Sequence, residues 1–90
     1  MPDDTQTVID TETTVRALLS RHGRLSADPA GLPADADLYA AGLSSLASVN
    51  LMLALEEKFD IEFPEHLLRR QTFASVAAIR DAVRSLTAAG

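Results

Sequence analysis

Few side chains in this 90-residue sequence can do chemistry unaided. There is no cysteine, which excludes a disulfide framework, a thiolate metal site and a cysteine nucleophile. The two histidines, His22 and His66, lie far apart with no ligand-type partner near either in sequence. Both read as surface residues, and His22 suits the end of a helix. Tyr39 reads as a loop anchor with a solvated hydroxyl. What remains is the serine pair Ser44–Ser45 inside Ala41-Gly-Leu-Ser-Ser-Leu46, directly ahead of a long apolar run. A serine there is ordinarily a helix cap, and Ser44 fits that role. The same position offers free N–H groups and the positive end of a helix dipole. A phosphodiester on Ser45 would be welcome there.

The elements that position this pair are helical. Val8, Val15, Leu18 and Leu19 share one face of a first helix over about residues 5–22, with Gly23 as its stop and Ile9 beside them as a second early apolar peg. Residues 23–43 carry Pro29, Pro33, Gly23, Gly31 and Gly42. They form a long loop with a helical turn near 37–40, anchored by Leu25, Leu32, Leu38, Tyr39 and Leu43. A second helix spans 45–59. Pro64 opens a short third helix, EHLLRR, and Thr72 caps a fourth that repeats Phe73, Val76, Ile79, Val83 and Leu86. The expected fold is all-α: a four-helix bundle in one domain over 1–90, frayed at about 1–7 and 87–90.

The second helix is apolar on too many sides. Leu51, Leu55 and Phe59, with Met52, make one stripe; Leu46, Val49 and Leu53 make another. At about 100° per residue, Val49 and Leu51 point nearly oppositely. One stripe belongs to the core. The other is covered by the 23–43 loop or is a docking face.

Charge narrows the partners. The net charge of −5 argues against nucleic acid, and no apolar run approaches the ~18 residues of a membrane span. No signal peptide opens the sequence, so a cytoplasmic location is expected. The protein is also expected to be a monomer. Glu56, Glu57, Asp60, Glu62 and Glu65 outnumber Lys58 in the middle of the chain. Arg69, Arg70, Arg80 and Arg84 outnumber Asp81 after it. The acidic region can steer basic partners. Arg69 or Arg70 could meet an acidic partner or a phosphate on Ser45.

Residues 37–64, with GLSSL followed at the right spacing by ALEEKFDIEFP, resemble the acyl carrier proteins, the phosphopantetheine-binding carrier family. The likeness extends in helix count over about 8–87. It implies an acyl-carrier-type bundle with a long first loop and a short third helix. It implies that Ser45 receives 4′-phosphopantetheine from coenzyme A through a phosphopantetheinyl transferase. Ser44, Leu46, Val49, Leu53, Glu56, Glu57 and Phe63 would meet partner enzymes. The chain itself would not be an enzyme. Two departures stand out: Ser44 where the family usually has Asp, and Ala47, Ser48 and Asn50 where many fatty-acid carriers are charged or larger. The segment is similar to stand-alone bacterial carriers served by amino acid:carrier protein ligases, which implies an aminoacyl or acyl thioester as cargo, handed over by such a ligase or by an acyl ligase or synthase. The alternative is an unmodified module of the same fold that binds partners through Leu46, Val49 and Leu53.

Overall fold

A computed structural model describes residues 4–89, with side chains for residues 11–87. The side chains of Val8 and Ile9, and residues 1–3 and 90 where fraying is expected, lie outside the described residues. Three α-helices follow in order: α1 (Asp4–His22), α2 (Ser45–Phe59) and α3 (Val76–Ala89). No strand occurs among the described residues.

The expected short third helix is not an α-helix. Residues 65–70 divide between two 3-10 turns, Glu65–Leu67 and Arg70–Phe73. Between them the backbone opens out at Leu68 (φ −85°, ψ 67°) and Arg69 (φ −144°, ψ 162°). A six-residue segment forms too few i→i+4 bonds to offset the cost of starting a helix, so single tight turns win. Pro64, expected at the first helical position, lies just outside its turn in extended conformation (φ −71°, ψ 162°). Thr72 does not cap the last helix. It is buried within the second 3-10 turn, and Ser75 caps α3 instead, accepting from the Ala78 N–H at 3.0 Å.

α1 contributes Val15, Leu18 and Leu19 to the core, and α3 contributes Val76, Ile79, Ala82 and Val83. α1 packs against both other helices, whereas α2 and α3 touch only slightly. Phe63 and Phe73 enter the core from the segment between α2 and α3. Their rings meet at 5.5 Å and 51°, a tilted pair of the kind worth about 0.5–1.5 kcal/mol beyond burial.

The long first loop is fastened rather than slack. Leu38 and Leu43 are buried, and Leu25, Leu32 and Tyr39 pack against the core, as expected of anchors. The Leu38 N–H donates to the Ala74 carbonyl, and the Ala77 N–H donates to the Ala34 carbonyl, both at 2.8 Å. The turn expected near 37–40 is present. Asp37 Oδ1 accepts from the N–H groups of Tyr39 and Ala40, and the Asp37 carbonyl accepts from Ala41. Arg16, whose position falls mostly off the apolar face of α1, holds the loop by donating to the Pro29 and Leu32 carbonyls at 2.7 and 2.6 Å. Gly23 ends α1 with its N–H on the Leu19 carbonyl. The left-handed residue that turns the chain away is the next one, Arg24 (φ 52°).

Candidate functional site

The site is built at the start of α2. Gly42 has φ 113°, a conformation that a side chain would resist, and it delivers Leu43 into the core and Ser44 to the helix end. Ser44 is the N-cap: extended backbone (φ −87°, ψ 166°), with its Oγ accepting from the Ala47 N–H at 3.0 Å. Ser45 is the first helical residue and is exposed. The adjacent serines therefore hold different positions. One closes the helix end and the other presents its hydroxyl to solvent.

The first turn of α2 contains no acidic residue, so no side chain of that turn offsets the positive end of the helix dipole beside Ser45. The N–H groups of Ser45 and Leu46 have no intrahelical acceptor, as in any first turn. A phosphodiester on Ser45 Oγ would meet these groups and no nearby first-turn carboxylate. The residues present fit a phosphopantetheine arm.

Ser45 also stands at the rim of a cleft of about 380 Å³, lined with Tyr39, Val49, Met52, Leu68, Arg70 and Phe73 among others. The lining holds neither histidine nor carboxylate, so no residue there acts as a base toward Ser45. His66 is exposed on its 3-10 turn. His22 is half-buried at the end of α1, beside Glu57 and Lys58 rather than Ser45. Among the described residues no cluster could hold a metal ion.

The 23–43 loop does not cover the second stripe of α2. Leu46 is 72% exposed, Val49 48% and Leu53 53%, while Leu51 and Leu55 on the opposite side are fully buried. Leu68 (51%) extends this apolar surface across the cleft. It goes unnoticed in sequence because Leu67 and Leu68 are adjacent and look equivalent. In the 3-10 turn only Leu67 packs inward.

Two expected partner-contact residues face elsewhere. Phe63 is 4% exposed and belongs to the core. Glu56 is half-buried and shapes the exit from α2. Its carbonyl accepts from Asp60 and Ile61, and its Oε2 accepts from the Phe63 N–H at 2.9 Å. Asp60 completes that exit in left-handed conformation (φ 53°, ψ 53°). Glu57 is exposed.

Tyr39 is more than an anchor. Its hydroxyl donates to the Arg70 carbonyl at 2.9 Å, and the Arg70 guanidinium lies 3.7 Å from its ring centre. Burial is the main cause that raises the phenol pKa above 10.0. The Arg70 charge opposes this and Asp37 adds to it. Across the molecule, Arg80 bonds both Asp81 and Glu12 at 3.0 Å. The Asp81 hydrogen bond is the leading cause of its raised pKa, so this arginine ties α3 to α1 in its charged form.

Comparison with known proteins matches these features. A family model described as the phosphopantetheine attachment site covers residues 13–83. The chain is 55% identical over 71 residues to an aminoacyl carrier protein of Agrobacterium fabrum (strain C58 / ATCC 33970), covering 79% of this chain and 86% of that one. It is also similar to a chain in the crystal structure of an engineered Bradyrhizobium japonicum glycine:[carrier protein] ligase complexed with carrier protein from Agrobacterium tumefaciens and AMP. That match has a TM-score of 0.78 and 53% identity, over 81% of this chain and 97% of that one. A further match is a chain in the structure of the Bradyrhizobium japonicum ligase complexed with glycylated carrier protein. Its TM-score is 0.69 at 26% identity, over 81% and 97% of the two chains.

Proposed function

Because the chain belongs to the phosphopantetheine attachment-site family, whose members are carriers and not enzymes, we propose that it bears its arm on Ser45 and carries a thioester-bound amino acid between partner enzymes. The observation that supports this best is the exposed Ser45 hydroxyl at the start of α2, in a first turn without acidic residues and beside an uncovered apolar face.

Attachment is a phosphoryl transfer. Ser45 Oγ forms a bond to the pantetheine-side phosphorus of coenzyme A, and the bond from that phosphorus to the nucleotide part breaks. The hydroxyl proton leaves to a base on the transferase, since the cleft supplies none. The bound arm supplies a thiol, which this cysteine-free chain lacks. The chain's own part is address and tether. Ser44 holds the helix end that presents Ser45, Leu46, Val49 and Leu53 offer the docking surface, and Glu57 adds a steering charge. The cargo reading rests on the relatives. One is an aminoacyl carrier protein, and another was seen with a glycine:[carrier protein] ligase.

The test is intact mass after incubation with coenzyme A and a broad-specificity transferase. One phosphopantetheine should add to the protein and to Ser44→Ala, and none to Ser45→Ala. No adduct on the unmodified sequence would favour an interaction module that uses the same face. The loaded protein is then offered amino acids with an amino acid:carrier protein ligase and fatty acids with an acyl ligase. Loading by the second alone would overturn the aminoacyl reading.

A further inference from the structure

The cleft beside Ser45 has a chemical character that the carrier role does not require. Its floor and walls are apolar, from Val49, Met52, Leu68 and Phe73. Two hydroxyls beside the attachment serine donate to the backbone, Ser48 Oγ to the Ser45 carbonyl at 2.7 Å and Tyr39 to the Arg70 carbonyl. The charged residues that line it are Arg69 and Arg70, and no carboxylate residue lines it with them, while Asp35 and Asp37 line a neighbouring hollow with Tyr39 and Arg70. Arg70 is held in place by the Tyr39 ring.

From this lining we infer that the cleft sorts tethered cargo by charge, with Arg69 and Arg70 turning the ammonium of an aminoacyl thioester away while an uncharged or anionic acyl group of similar size is admitted. The inference rests on attachment at Ser45. A tethered group samples the cleft at high effective concentration, so modest selectivity decides where it resides. An α-amino group is protonated below a pKa of about 7.7–8.0. Entering the cleft, it would shed water, gain no anionic partner and approach two like charges. The aminoacyl group therefore stays outside at the end of its arm, open to the next enzyme. An acyl group would be withdrawn against the protein.

The test uses the full chain at pH 6.5, loaded by a transferase with hydrolysis-resistant, amide-linked butyryl, succinyl and glycyl pantetheine analogues. Loading is confirmed by intact mass. Backbone amide shifts of Val49, Met52 and Leu68 are compared with those of the free-thiol form. Butyryl and succinyl cargo should move them at least about three-fold more than glycyl, and about 0.5 M salt should shrink the difference between succinyl and glycyl. Arg69→Glu, which spares the Tyr39–Arg70 contact, should draw glycyl cargo in and push succinyl out. Equal shifts for the three cargos, no shift for any of them, or a glycyl response unchanged by Arg69→Glu would overturn the inference and leave attachment standing. Absence of any mass adduct would overturn attachment, and this inference with it.

Discussion

Tyr39 and Arg70 hold each other twice, with the tyrosine hydroxyl on the arginine carbonyl at 2.9 Å and the guanidinium 3.7 Å from the ring centre. Thirty-one residues separate them in sequence. The pair joins the loop that leads to Ser45 with the segment that forms the far wall of the cleft. Tyr39→Phe keeps the ring and removes only the hydrogen bond, so it should lower unfolding free energy by about 0.5–1.5 kcal/mol. Tyr39→Ala also removes ring packing and should cost about 2–4 kcal/mol. Urea unfolding measures both. Equal costs would mean that the ring contributes nothing to the clasp.

The same residue gives a pH signature. Tyr39 is the protein's one tyrosine, so phenolate absorbance reports it alone. Its folded pKa is raised above 10.0, chiefly by burial. The sign follows from linkage. Its contribution is fully present below the unfolded pKa near 10 and is lost as pH rises from there through the folded pKa, because the unfolded chain releases the proton first. Phenolate should appear at higher pH in folded protein than in urea. Tyr39→Phe should remove this part of the alkaline loss of stability. Coincident titrations in the two states would show the ring to be fully solvated.

Glu56 and Glu57 are neighbours with separable roles. Glu56→Ala leaves the Phe63 N–H without its carboxylate acceptor, and should cost about 1–3 kcal/mol and speed hydrogen exchange at Phe63. Glu56→Gln retains an acceptor and should cost less. Glu57→Ala should change stability by no more than about 0.5 kcal/mol. Its effect should fall on the association rate with a basic partner, and should fade as salt rises. A stability loss at Glu57 matching that at Glu56 would contradict this division.

Ser44 tests the helix end apart from the chemistry beside it. Ser44→Ala removes the cap on the Ala47 N–H and should cost about 0.5–2 kcal/mol, while Ser44→Asp should preserve stability. Thermal unfolding reads the first effect. Loss of the phosphopantetheine adduct in a folded Ser44→Ala protein would move Ser44 from helix cap to recognition residue.

These contrasts show what the sequence could reveal. The bounds of α2, its Ser44 cap and its two apolar stripes follow from local spacing, and local spacing is what helices obey. The loop anchors were legible because Leu38 and Leu43 have no other role among prolines and glycines. The segment from Pro64 to Phe73 was not. Its apolar residues are too few to set a period, so tertiary contacts chose tight turns over a helix and turned Thr72 and Phe73 inward. Arg16, Glu56 and Arg70 look like solvated charges in sequence. Apart from the i,i+4 pair of Arg16 with Glu12, their partners lie 7 to 31 residues away, and no periodic pattern encodes such pairings.

Leu51 and Leu53 make the sharpest pair for the docking face. They stand two residues apart on α2, one fully buried and the other 53% exposed. Leu51→Asp places a carboxylate in the core beside no partner cation, and should unfold the protein or cost at least about 4 kcal/mol. Leu53→Asp should cost no more than about 1 kcal/mol, because the side chain stays in water. In contact with a partner, that same carboxylate must be desolvated against an apolar surface. Ligase-catalysed loading of folded Leu53→Asp should therefore fall by ten-fold or more, by the rule of about 1.4 kcal/mol per decade. Leu46→Asp, more exposed still, should behave like Leu53→Asp in stability and weaken loading further if it lies nearer the centre of the interface. Circular dichroism establishes folding, and kcat/KM for loading measures the rest. Unchanged loading in both folded variants would show that partners approach Ser45 from another side.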